Sequence, residues 1–200
     1  MYVILQKECD LMSADKAAKA GAASLFDELL DWLKEILRFL IVTVLICTFV
    51  AKPARVEGSS MMPTLVDKDT LILWSLGYEP HQGDIVAANC DGLEKIIIKR
   101  VIAVGGQEIY CDFAAGKVYV DGELYEVDGI DNITTDPESN YIYPIIVPKG
   151  KYFVMGDNRQ RSTDSRSAFV GLIDRDDILG KAVLRIYPFD KFGGLYSHED

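Results

Sequence analysis

Residues 39–51, FLIVTVLICTFVA, run thirteen positions without a charge, and no other feature restricts the fold as strongly. Alone, the run is shorter than the ~18–20 apolar residues that span a bilayer, so a buried core helix also fits it. The sequence ahead of it extends the pattern. In SLFDELLDWLKEILR, Leu25, Phe26, Leu29, Leu30, Leu33, Ile36 and Leu37 recur at helical spacing. Trp32 sits where an interfacial aromatic belongs, and the stems of Lys34 and Arg38 are long enough to reach headgroups. The two stretches together predict one helix over 25–52, an amphipathic lead-in followed by an uncleaved membrane anchor. A cleaved leader fits poorly, because the tail at 1–24 is long and lacks a distinct basic region. Lys7, Lys16, Lys19, Lys34 and Arg38 precede the run and only Lys52 and Arg55 closely follow it, which places the tail in the cytoplasm. Pro53 ends the helical pattern, since the residue before a proline is pushed out of the α region.

From residue 53 to 200 the chain reads as an antiparallel β domain on the far side of the membrane. Short apolar stretches at 70–74, 84–88, 95–104, 108–111, 117–120, 143–147, 152–155 and 181–187 alternate with turn residues. Asp121-Gly122 between KVYV and ELYEV is a two-residue hairpin signal. Residues 132–140, NITTDPESN, have no period and form a loop, and single helical turns fit at 164–169 and 174–179. The formal net charge of −10 excludes nucleic acid as a partner, because a phosphate binder needs a basic face. The acidic excess lies downstream, where residues 53–200 carry fifteen Lys and Arg against twenty-four Asp and Glu. Cys9, Cys47, Cys90 and Cys111 form no CxxC pair. Cys90 and Cys111 are read as buried small hydrophobes, with a disulfide between them as the alternative.

The residues also limit the chemistry. Of the two histidines, His198 lies in the polar end of the chain and His81 in the turn-like EPHQGD, so a Ser-His-Asp triad has no good candidate. There is no HExxH and no glycine-rich phosphate loop, so neither a metal nor a nucleotide cofactor is expected. Serine with lysine remains. A serine hydroxyl attacks only when something takes its proton, and a lysine does so only when burial lowers its pKa from about 10.4. Lys99 in EKIIIKRVIAVGG is such a candidate. On a strand, Ile97, Lys99 and Val101 share one face and Ile98, Arg100 and Ile102 the other. Periodicity alone favours an ordinary strand with two snorkelling cations. A third stretch, MGDNRQRSTDSR at 155–166, is rich in turn-forming and hydrogen-bonding residues, and Asp164 and Arg166 can pair there to brace a loop.

Three stretches taken in order resemble the boxes of the bacterial type I signal peptidases: GSSMMPTL at 58–65, IKRVIAVGG at 98–106 and GDNRQRSTDSR at 156–166. GDIV at 83–86, VGLIDRDDILGKAVLRIYPFDKFG at 170–193 and the upstream apolar run also match. The resemblance implies a membrane-anchored serine endopeptidase with a mainly β, barrel-like catalytic domain, needing no cofactor or metal. It would release secretory preproteins from their signal peptides after small residues (Ala-x-Ala) outside the cytoplasm, beside membrane lipid. By position, Ser60 is the nucleophile and Ser59 a neighbour, Lys99 the general base, and Ser162 a hydrogen-bonding partner that orients Lys99. Asp164 and Arg166 become a bracing ion pair, and Asp157 supports the same loop. Val56, Met61, Ile97 and Ile98 are expected to line the substrate pocket, and an apolar face around Met61, Met62, Trp74 and Phe113 to rest on the membrane. Gly58 stands where one branch of the family has a serine that helps bind the oxyanion, which points to the small Gram-positive-like branch and leaves a second donor unassigned. Gln160-Arg161 is less acidic than the family's usual pair, and little is expected of it. Two other readings are a self-cleaving repressor-type Ser-Lys protease, which would need a soluble DNA-binding N-terminus, and a non-enzymatic anchored β domain.

Overall fold

The structure is a computed structural model whose described residues are 28–48, 50–135 and 141–195. The tail at 1–24 with Cys9, the start of the lead-in, part of the 132–140 loop and His198 lie outside them. The chain divides near Cys47 into two units. In the first, residues 28–48 are helical, and Lys34 and Arg38 pair with Asp31 and Glu35 one turn earlier on an exposed surface. Past Arg38 the described helix carries no charge for ten residues, and its large apolar side chains, from Phe39 to Ile46, are exposed. Ten helical residues cover about 15 Å, roughly half of a hydrocarbon core. Among the described residues no helix is long and apolar enough to cross a membrane.

The second unit is β-rich, as expected, with strands β1 (Ala51–Arg55), β2 (Thr70–Trp74), β3 (Ile85–Cys90), β4 (Lys95–Val104), β5 (Glu108–Asp112), β6 (Lys117–Val120), β7 (Glu123–Leu124), β8 (Ile145–Ile146), β9 (Lys151–Met155), β10 (Ile173–Asp174), β11 (Ile178–Tyr187) and β12 (Gly193–Gly194). Eight of them make a sheet ordered β1-β2-β11-β3-β4-β9-β10, with β12 beside β11, and four make a second sheet ordered β7-β6-β5-β8. Every pairing is antiparallel. The large sheet has two ends, β1 and β10, so among the described residues it does not close into a barrel. Ala51 and Lys52 belong to β1 and not to the helix expected over 25–52. Pro53 lies inside that strand, which is tolerated because β1 is an edge where a missing N–H need not break the ladder.

Seven of the ten residues of β4 are apolar, and from Ile97 to Ala103 both faces are covered. Ile97 and Val101 join one buried cluster with Val86 and Ala88, while Ile98 joins another with Val56, Met61 and Leu65. A third cluster, with Ile102 and Phe153 from the large sheet and Ile109 and Val118 from the small one, lies between the sheets. Cys90 and Cys111 are buried in different clusters and are free thiols. Burial pushes the Cys111 thiol up to about 12. The hairpin joining β6 and β7 turns at Asp121 and Gly122, both with positive φ, as a two-residue primed turn requires.

Candidate active site

The serine segment is a closed loop between β1 and β2. Val56 N–H donates to Asp69 O at 2.8 Å and Lys68 N–H to Val56 O at 2.9 Å, which pins the two ends together. Inside the loop Met61 and Leu65 are 1% and 0% exposed and fix the middle in the core. Gly58 has φ +84°, a left-handed backbone, and its N–H donates to Asp67 Oδ1 at 2.9 Å. A side chain there would meet no neighbour, but it would have to take up that backbone. Turn conformation, and not lack of room, accounts for the absent hydroxyl. Ser60 is thus held between a left-handed glycine and a buried methionine.

Lys99 reaches this serine from β4. Its Nζ donates to Ser60 Oγ at 2.7 Å, while no bond joins it to Ser59. Lys99 is 4% exposed. Burial brings its amine from the ordinary 10.5 down to about 8; Lys95 and Arg166 act in the same direction, and Asp164 and Asp157 oppose them.

The 155–166 stretch packs beneath the pair. Arg166 bridges both oxygens of Asp164 at 2.8 Å and also donates to Thr134 Oγ1 and Arg159 O, with all charged atoms buried. Asp164 in turn accepts from Gly156 N–H at 2.9 Å. Asp157 supports the loop in a way the sequence did not reveal. Arg100, the neighbour of Lys99, grips both its oxygens at 2.8 and 2.7 Å, and Thr64 of the serine loop donates to it at 2.5 Å. One buried carboxylate therefore ties the nucleophile's loop to the base's strand. Arg185 of β11 adds a second tie, to Asp69 at 3.2 Å and to Thr64 O at 2.5 Å. Arg100 pairs with a residue 57 positions away, which no local pattern could reveal.

Ser162 departs from expectation. It is 8% exposed, but its hydroxyl makes no hydrogen bond to Lys99 or to any other group. The hydroxyl lies over Gly156, where an added Cβ would come within 2.3 Å of Ser162 Oγ and 2.4 Å of Ser60 O. Gly156 is thus the spacer that lets the two segments approach, and its tie to the site went unread in the sequence.

A cleft of about 740 Å³ opens beside Ser60 and Lys99, and Val56, Met61, Ile97 and Ile98 all line it. Its floor runs between two free strand edges. β1 is paired on one side only, and β9 pairs with β4 only from Arg100 onward. Of the expected membrane-facing residues, Met62 and Trp74 are 41% and 44% exposed. Met61 is buried instead, and Phe113 packs edge-on against Tyr143 at 5.6 Å beside the core between the sheets. His81 is an exposed turn residue, 79% accessible at its side chain.

Residues 29–187 match the family described as signal peptidase, peptidase S26. The chain is 35% identical over 172 residues to signal peptidase I P of Bacillus subtilis subsp. natto, covering 82% of this chain and 91% of that protein. It is 30% identical over 197 residues to signal peptidase IB of Staphylococcus aureus, covering 86% and 97%. A crystal structure of a signal peptidase I from Enterococcus faecalis is 26% identical with a TM-score of 0.44, covering 53% of this chain and 98% of that one. The family match and the two relatives make the chain an enzyme of the serine peptidase class. Within that class, the chain belongs to the signal peptidase family, peptidase S26.

Proposed function

We propose that this chain is a membrane-anchored serine endopeptidase that removes signal peptides from secretory preproteins, with Ser60 as nucleophile and Lys99 as general base. The observation that carries the reading is the 2.7 Å contact between the Lys99 amine and Ser60 Oγ, with the amine buried and shifted to about 8. A neutral Lys99 takes the hydroxyl proton as Oγ attacks the scissile carbonyl, and the resulting ammonium then protonates the leaving amine. The backbone N–H of Ser60 donates to no described acceptor and is available to the developing oxyanion. Asp157, Asp164 and Arg166 hold the geometry without touching substrate.

The substrate enters the cleft as an extended strand between the free edges of β1 and of residues 95–98. Main-chain bonds supply affinity, and Val56, Met61, Ile97 and Ile98 line the cleft that receives the alternate side chains, for which small residues (Ala-x-Ala) are the proposed preference. The exposed apolar end of the helix supports anchoring of the segment that precedes β1 in lipid, in a single pass with the tail cytoplasmic and the β domain outside. The test is cleavage of a preprotein by the detergent-solubilised full chain. Ser60→Ala and Lys99→Ala should abolish product, and Ser59→Ala should retain it. Cleavage at the wild-type rate by either of the first two would end the proposal.

A further inference from the structure

A second cavity of about 380 Å³ lies on the other side of the serine loop, lined by Ser59, Met62, Pro63 and Asp131 together with residues 157–161. Ser59 and Arg161 line both cavities, so they mark the junction. A strand that fills the first cleft and runs past Ser60 has this second cavity ahead of it. We infer that the second cavity receives the chain on the C-terminal side of the scissile bond, and that Arg161 selects by charge the residue that becomes the new N-terminus, favouring a carboxylate and disfavouring a lysine or arginine. The inference rests on the peptidase reading.

The charge at the junction follows from how the nearby ion pairs are distributed. Arg161 is exposed; its backbone N–H donates to Asn158 O, and its guanidinium has no hydrogen bond or ion pair. The buried carboxylates nearby are already taken, Asp157 by Arg100 and Asp164 by Arg166. Arg159, in the same wall, is 2% exposed, and all three of its guanidinium nitrogens lack a hydrogen-bond partner. Two cations thus stand in this wall without a dedicated counter-ion. The opposing charge is Asp131, which accepts from Gln160 Nε2 and from Ile133 N–H, both at 3.0 Å. Asp131 lines the second cavity and not the first, whereas Arg161 lines both, so a chain passing from one to the other runs by the Arg161 charge at the junction.

Three peptides test this, identical up to the scissile bond and carrying Asp, Asn or Lys directly after it. With the full chain in detergent at low salt, kcat/KM should fall in that order, about tenfold between the ends, as expected for a rim charge. The spread should shrink toward parity near 0.5 M salt, where screening reaches only several Å. Arg161→Glu should invert the order, and Arg161→Gln should compress it. Each comparison is a ratio within one variant, so partial misfolding scales all three rates and leaves the ratio intact. Equal rates for the three peptides, or an unchanged order in Arg161→Glu, would overturn the inference and leave the peptidase reading standing. If wild type cleaves none of them, the peptidase reading fails and the inference with it.

Discussion

At the scale of single residues the central fact is a lysine kept out of water. An amine titrating at about 8 is neutral in roughly a tenth of molecules at pH 7, against fewer than one in a thousand near 10.5. The rate, followed as kcat/KM, should therefore rise about tenfold per pH unit below 8 and level off above it. A flat profile between pH 5 and 9 would remove Lys99 from the mechanism. The same burial bears on stability. With the folded value below the unfolded one, the unfolded chain holds the extra proton between about 8 and 10.5, so this group's contribution to stability rises across that window. Below pH 8 the full penalty is present, on the order of 3 kcal/mol for a shift of this size. Lys99→Met should be inactive yet melt several degrees higher at pH 7, read by thermal denaturation. A lower melting point would show that packing around the amine matters more than its charge.

At the scale of elements, two loops and one strand meet with almost no slack. Gly156→Ala would drive a methyl against the Ser60 carbonyl and the Ser162 hydroxyl, and displacing the nucleophile by a fraction of an ångström should cost about a hundredfold in kcat. The melting point should move far less, which separates misplacement from unfolding. Asp157→Ala should do the reverse and lower stability by about 3–5 kcal/mol, since Arg100 stays charged and buried while losing the carboxylate that its Nε and Nη2 both donate to. A double change of Arg100 and Asp157 to leucine should destabilise less than Asp157→Ala alone, as denaturant titration would show. Much of this was legible in the sequence. The alternation in β4 put Lys99 and Arg100 on opposite faces without saying which face is covered, and the spacing of Asp164 and Arg166 suits an ion pair. The partnership of Arg100 with Asp157 was not legible, because it joins distant segments. β1 was hidden too, since Ala51 closes an apolar run that fits helix and strand equally well, and Lys52-Pro53-Ala54-Arg55 carries no strand period. β7, β10 and β12 are two residues each, too short to carry a period.

At the scale of the whole molecule, the two units set different experiments. If the apolar helix holds the chain in lipid, the protein should stay with membranes through alkaline carbonate washing, and removing residues 1–48 should release it. The β unit, with its own three buried clusters, should keep its cooperative melt when so released. The unpaired edges that floor the cleft also have a cost apart from catalysis. A bare strand edge is a template for any other strand, including one from a second copy of the same enzyme. The cleft carries features known to discourage such pairing: Pro53, which cannot donate, and the charged side chains of Lys52, Arg55 and Lys95 along the two edges. In this light the residues along the two edges act as a guard against self-assembly, and replacing Pro53 and Arg55 with threonine should make the enzyme associate in light scattering, an association that an added extended peptide should reverse.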